Sequence, residues 1–439
     1  MKVTAKLAAS ALALGALGAA PQASAQDDVF RVGIITFLSG QAAESFGVPA
    51  WNGGKTLIDM LNEGGKLPEP YTQRGFGGLT IEAVLVDEAG GATKQVQEFR
   101  NLVQREEVDA VIGYVSSADC LAVPPVADEL KAFTILYDCG TPRVFEDGEY
   151  EYVFRTAAHG AMDNVSLARY LKSQGMQVET ISGVNQDYAW GQDSWADFEG
   201  AMKQLYPDVE VETSLFPKFG AGQYGAEISA LLRARSDVTH SSLWGGDLQG
   251  LVLQASARNL HERTQLALSA GDHVIPQLQD KMPEGIILGA RGVNGLAAYA
   301  RGGELEELTM TLWDAYMEEH GVFPVQAPFR MWQAVLGLKA AVEKAMAENG
   351  GVKPNDEQLA AAMTGLSWPA PSGVIEMALA DGHQAIQPNA IGKTVWDSEA
   401  DAMRLEEVIY YDSRCVNPPE GVKAADWIAQ GFPGAQCDE

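Results

Sequence analysis

The sequence predicts an α/β fold of two doubly wound, mainly parallel-sheet lobes, and three observations carry that prediction. Continuous β-branched runs such as Val108-Asp-Ala-Val-Ile112 and Phe133-Thr-Ile-Leu-Tyr137 alternate with amphipathic stretches, as buried parallel strands alternate with crossover helices. These runs end in small, polar segments, Gly113 to Cys120 and Asp138-Cys-Gly-Thr141. The strand–helix rhythm then restarts after Tyr152-Val-Phe-Arg-Thr156, which doubles the architecture.

In the first half, strands are expected at 30–35, 79–86, 108–112 and 133–137, with helices at 50–61, 94–105 and 123–130 between them. Right-handed crossovers place such helices on both faces of one sheet. In the second series, strands at 178–184, 209–216, 238–244 and 265–269 alternate with helices at 164–173, 194–205, 226–235 and 250–258. Residues 286–288 read as a further strand. The helical stretches 305–320, 328–347 and 355–363 are assigned to the first lobe, and the β-like segments 373–379 and 408–411 to the second. The expected organisation is therefore lobe one from 26–156 plus 290–372, lobe two from 157–289 plus 373–412, and a tail at 413–439. A chain of 439 residues exceeds what a single core usually supports, so two lobes agree with its length.

The amino terminus reads as an export leader. Lys2 and Lys6 precede an apolar run at 7–20, and Ala23-Ser-Ala25 supplies the small-x-small cleavage pattern, with cleavage expected after Ala25. No later stretch reaches the length of a membrane span, so a periplasmic, non-spanning protein is expected. The formal net charge of −28 argues against nucleic acid or anionic membrane surfaces as partners, since these attract basic patches. Four cysteines in an exported chain favour disulfides, with three possible connectivities. If the strands ending near Cys120 and Cys139 are neighbours, a bridge between those two is short, and Cys415–Cys437 would then staple the tail. No CxxC or Cys/His cluster supports a metal site, and no cofactor is expected.

Strand ends carry the first clue to function, because ligands of open parallel sheets bind beyond the carboxyl ends of the strands. Ser, Gly and Thr at two such ends offer hydroxyls and backbone N–H groups to a small anionic group. No catalytic constellation competes with this reading. Gly191-Gln-Asp-Ser-Trp195 lacks the second Gly of a nucleophile elbow. Trp51-Asn-Gly-Gly-Lys-Thr56 ends like a P-loop, but Pro49 replaces its first Gly. The histidines form no cluster, so no enzyme activity is expected.

Taken in order, a series of short segments resembles the type I periplasmic solute-binding proteins, specifically the branched-chain amino acid (Leu/Ile/Val) receptor family of ABC importers. In the first lobe these are Val32-Gly-Ile-Ile-Thr-Phe-Leu-Ser-Gly40, Gly47 ahead of Gly53-Gly54, Val86-Asp-Glu88, Val111 to Ser117, Asp138 to Thr141, and Phe154-Arg-Thr156. In the second they are Tyr188-Ala-Trp-Gly191, Phe219 to Leu231, and Trp244-Gly-Gly-Asp247. The resemblance implies a hinged cleft that captures a small polar ligand, an amino acid or a related amide, amine or aromatic acid, and delivers it to permease subunits. The alternative partner is a membrane sensor kinase or regulator reading the bound state.

By the same resemblance, Ser116, Ser117 and Ala118, then Cys139, Gly140 and Thr141, would hold a ligand carboxylate, with Phe46 beside them. Trp190 would cover the ligand from the second lobe. Asp247 stands where amino acid receptors carry Tyr, and Asp272 falls near the position that pairs with a ligand ammonium. Two acids there would suit a cationic group stacked on Trp190, unless either is solvated or paired with Arg.

Overall fold

The computed structural model describes residues 28–301 and 306–437, so the expected leader lies outside the described residues. Its first sheet begins with β1 (Val29–Thr36), β2 (Thr80–Asp87), β3 (Ala110–Gly113), β4 (Thr134–Leu136) and β5 (Val153–Arg155). These pair in parallel in the order β2-β1-β3-β4-β5. The second sheet begins with β6 (Thr180–Val184), β7 (Glu210–Leu215), β8 (Val238–Ser241), β9 (Gln265–Leu268) and β10 (Ile287–Gly289). Its parallel order is β7-β6-β8-β9-β10. Both sheets reverse strand order beside their first strand, the switch point at which doubly wound sheets open a crevice.

The remaining strands complete each sheet differently from expectation. β11 (Ser367–Ala370), β12 (Gly373–Leu379) and β13 (Gln384–Ile386) extend the first sheet, with β13 parallel to β5. Residues 373–386 therefore run with the first lobe, correcting their assignment to the second. The cause is an open edge: β5 would otherwise expose a row of unpaired backbone groups. Ile375, Met377, Ala385 and Ile386 are buried as these strands cover it. Only β14 (Asn389–Asp397) and β15 (Ala402–Tyr411) join the second sheet, antiparallel to β10 and to each other.

The chain thus passes between the sheets three times, after β5, after β10 and between β13 and β14. Close helix packing stiffens the first lobe. Gly53 and Gly54 of helix Val48–Glu63 meet helix Gln326–Glu348 so closely that a Cβ on Gly53 would lie 2.7 Å from Pro328. Trp332 also donates to the Gly53 carbonyl at 2.8 Å.

β3 and β4 are neighbours, and Cys120 is bonded to Cys139 across their ends. The second bridge, Cys415–Cys437, staples the tail, whose Trp427 and Phe432 pack against the second lobe with Trp195 and Phe198. Closing a loop of 19 residues restricts the unfolded chain. The double variant Cys120→Ala/Cys139→Ala should lower the unfolding free energy by about 3 kcal/mol, seen as an earlier urea midpoint that reductant shifts further only through the remaining Cys415–Cys437 bridge.

Candidate functional site

Between the two sheets the strand ends face one another across a narrow cavity of about 20 Å³, the scale of a water molecule. The first lobe contributes Phe46, Val115, Ser117, Asp138 and Gly140, and the second contributes Tyr188, Trp190, Trp244 and Ala270. Arg291, just beyond β10, and Gln326, at the start of its helix, complete the lining from the second crossing.

The two first-lobe loops are held by side chains aimed at their backbone. Glu88, at the end of β2, accepts hydrogen bonds from Val115 N (2.9 and 3.0 Å to its two oxygens) and Ser116 N (2.7 Å). Burial, and then the neighbouring Asp119 carboxylate, pushes Glu88 well above the ordinary carboxylate range. Ser117 Oγ accepts from Gly140 N at 3.3 Å and Thr141 N at 3.2 Å, joining one loop to the other. The disulfide makes a second tie at the same place.

From the second lobe, Trp190 enters on helix Ala189–Leu205 and donates its Nε1 hydrogen to Ser242 O at 2.8 Å. Its ring packs tightly against the first lobe: a Cβ added to Gly140 would come within 2.1 Å of it. The Arg291 guanidinium lies over the ring, 4.7 Å from its centroid. Phe46, Phe37 and Phe219 surround Trp244 with centroid separations of 5.3–5.8 Å, and Trp244 Nε1 donates to the Tyr188 hydroxyl at 2.8 Å.

Charge is concentrated behind this aromatic wall. Arg291 pairs with Asp163 at 3.0 Å and with Asp138 at 3.1 Å, and Arg330 approaches Asp138 at 3.5 Å. Arg291 also donates to the Asp138 carbonyl, and Arg330 to the Arg291 carbonyl. All four side chains are buried. Burial raises Asp138 to about 6, against the pull of Arg291 and Arg330, and lowers Arg330 to about 10.

The ten expected ligand positions divide accordingly. Phe46, Ser117, Gly140 and Trp190 line the cavity. Ser116, Ala118, Cys139, Thr141, Asp247 and Asp272 lie outside that lining. Ser116 spends its N–H on Glu88, and Ala118 is exposed. Cys139 is in the disulfide, while the Thr141 hydroxyl donates to Asp193 Oδ2 at 2.6 Å.

Asp247 is buried under donors. It accepts from Gln186 (2.8 Å), Gln41 (3.1 Å), Gly220 N (2.8 Å), Gly222 N (3.4 Å) and the Tyr224 hydroxyl. The Gln41 bond crosses from the first lobe, so Asp247 fastens the cleft edge. Asp272 accepts from Gln326 N at 2.9 Å, and burial raises it to about 8.

The sequence reading assigned no role to Arg291, Asp138, Tyr188, Trp244 or Gln326 at the cavity. Asp138 carried a signal, an acid replacing a small neutral residue. Arg291 carried none, because a lone Arg after a short strand has no informative spacing.

The profile of the periplasmic binding protein family matches residues 29–400. The chain belongs to this family. Membership makes the protein a periplasmic binding protein. No helix among the described residues is long and apolar enough to cross a membrane.

Solved structures share the fold at low identity. A solute-binding protein of an ABC transporter from Rhodopseudomonas palustris BisB5, in complex with 3,4-dihydroxybenzoic acid, aligns with a TM-score of 0.73 and 20% identity, covering 88% of this chain and 98% of that one. One from R. palustris in complex with benzoate gives 0.69 and 20%, covering 83% and 93%. A leucine-binding protein from Thermotoga maritima MSB8 gives 0.68 and 20%, covering 87% and 99%. No curated protein matches the sequence.

Two outcomes follow for this receptor. Gly140→Ala should keep the lobes from seating, weakening capture of any cleft ligand by at least about tenfold in a titration monitored by tryptophan fluorescence. Asp272 keeps a proton in the fold that the unfolded chain releases, since its ordinary value is 3.8. Its contribution to stability is present below about pH 4 and is lost as the pH rises through about 8. Asp272→Asn should therefore flatten the fall in melting temperature across that window.

Proposed function

We propose that the receptor captures an aromatic carboxylic acid in its inter-lobe cleft. The observation that carries this reading is a buried guanidinium, Arg291, set beside Asp138, Ser117 and Gln326 in a cavity whose aromatic walls are Phe46, Tyr188, Trp190 and Trp244. A flat apolar ring suits those walls, and a carboxylate suits Arg291 with the Ser117 hydroxyl beside it. A free amino acid suits the site less well. Its ammonium needs an ionised acid, yet Asp138 is committed to two arginines and Asp272 holds its proton to about pH 8. The benzoate and dihydroxybenzoate complexes of the R. palustris proteins support the same ligand class.

Capture requires the lobes to part, because the closed cleft is smaller than any such acid. The moving bodies are residues 28–156 with 290–301 and 306–386, and 157–289 with 387–412, turning about the three crossings. On closure Trp190 returns to Gly140, the Gln41–Asp247 bond reforms, and the closed surface is presented to the permease. The leader is removed after Ala25 on export, and the cleft performs no catalysis.

Thermal-shift and fluorescence titrations with benzoate, 4-hydroxybenzoate, 3,4-dihydroxybenzoate, benzylamine and L-leucine test the assignment. At least one of the acids should raise the melting temperature by several degrees while benzylamine and leucine leave it unchanged. Trp190→Ala should weaken that acid by about tenfold or more. Stabilisation by leucine and by none of the aromatic acids would overturn the reading.

A further inference from the structure

A second and larger cavity, about 350 Å³, opens on the far side of the loop that follows β4. It lies where the first lobe, the first crossing and the tail meet, and its volume falls in the range of small-molecule sites. Arg155, the last residue of β5, forms its floor and is wholly buried. Its guanidinium donates only to neutral acceptors: Gln384 Oε1 at 2.5 Å, Thr141 O at 2.6 Å and Cys139 O at 3.1 Å. Its Nη2 has no hydrogen-bond partner among the described residues, and neither has Nδ1 of His159, also buried in the floor.

A buried guanidinium with no carboxylate at ion-pair distance is costly unless an anion reaches it. The charges around it do not supply one. Arg291 and Arg330 repel it, and Glu146 in the wall, which accepts from Ala424 N at 2.6 Å, attracts it only from beyond ion-pair distance. Burial and these two arginines outweigh the pull of Glu146 and lower Arg155 to about 9, while burial lowers His159 to about 3, leaving that ring neutral.

The mouth has the opposite character. Glu149, Asp381 and Glu420 are exposed there, with Glu420 accepting from Asp381 N at 2.9 Å. Lys423, also at the mouth, is paired with Asp147 at 3.0 Å and so does not neutralise them. The cavity is therefore polarised along its depth, cationic at the floor and anionic at the opening.

We propose that this cavity is a second ligand site, distinct from the cleft, for a small zwitterion whose carboxylate meets Arg155 and whose cationic nitrogen rests among Glu149, Asp381 and Glu420. The site binds the two ends together or not at all, since each end alone meets one favourable and one repelling region.

Calorimetric titration of the mature protein with 4-aminobutyrate, butyrate and butylamine tests this. The zwitterion should bind at least about tenfold more tightly than either half-molecule. The exposed triple variant Glu149→Gln/Asp381→Asn/Glu420→Gln should weaken it by about tenfold or more without lowering the melting temperature, and Arg155→Gln should abolish it. Trp190→Ala, which disables the cleft, should leave it unchanged, so that failure here is separable from failure of the aromatic-acid reading. No heat with 4-aminobutyrate at about 10 mM, equal binding of butyrate, an unaffected triple variant, or loss in Trp190→Ala would each overturn the proposal.

Discussion

The structure depends on one buried cation. Arg291 leaves the second lobe on the crossing after β10 and is clasped by Asp138 from the first lobe and Asp163 from the second. Removing one member of such a buried pair leaves an uncompensated charge, at a cost of about 3–5 kcal/mol, so the group is retained or lost as a unit. Because its two acids come from different lobes, their pairing also sets how the lobes meet. Arg291 itself adopts a left-handed backbone conformation, φ 53°, which non-glycine residues tolerate only where surrounding contacts over-determine them. The stack on Trp190 extends the same constraint into the cleft.

Around that centre the first-lobe loops are organised before any ligand is present. Glu88 holds the backbone of one loop, Ser117 joins it to the other, and the Cys120–Cys139 bridge fixes their separation. Arg155 takes the Cys139 and Thr141 carbonyls from behind. Each tie consumes a polar group that the residue types alone would have offered to ligand. What faces the cavity for recognition is the Ser117 hydroxyl hydrogen, the Trp190 ring beside Gly140, and a guanidinium already shared with Asp138 and Asp163. A receptor so arranged spends little of its binding energy on ordering its own loops.

The sequence is informative where local pattern decides the structure and silent where distant partners do. Buried parallel strands are legible because both of their faces are covered, which makes 108–112 and 133–137 apolar apart from Asp109 and Thr134. Gly53 and Gly54 were legible as part of a family pattern, and the structure supplies their physical cause in the approach of Pro328 and Met331. Segment 373–386 was misplaced because alternation shows that a strand has one buried face, not which sheet edge needs covering. Asp247 looked like a ligand group because it stands where the resembling amino acid receptors carry Tyr. Its donors come from 41, 186 and 220–224, which no spacing around 247 reveals. Arg291 lies 128 residues from Asp163 and 153 from Asp138, and had no local signature at all.

The charge distribution connects these points. The chain carries 59 acidic and 31 basic residues, yet three arginines, Arg155, Arg291 and Arg330, are buried together at the crossings between its lobes. Two carboxylates, Asp138 and Asp163, pair with them there, which leaves the interior of an acidic protein locally positive. In a low-dielectric interior that excess acts over longer distances than the same charge at the surface, where salt and water screen it. An anionic ligand is thus favoured inside the protein although it is repelled by the exterior as a whole. Selectivity then falls to the walls, which are aromatic in the cleft and carboxylate-rimmed in the second cavity. A shared excess of buried positive charge can in this way serve two differently shaped anion sites without either loop system contributing a free cation of its own.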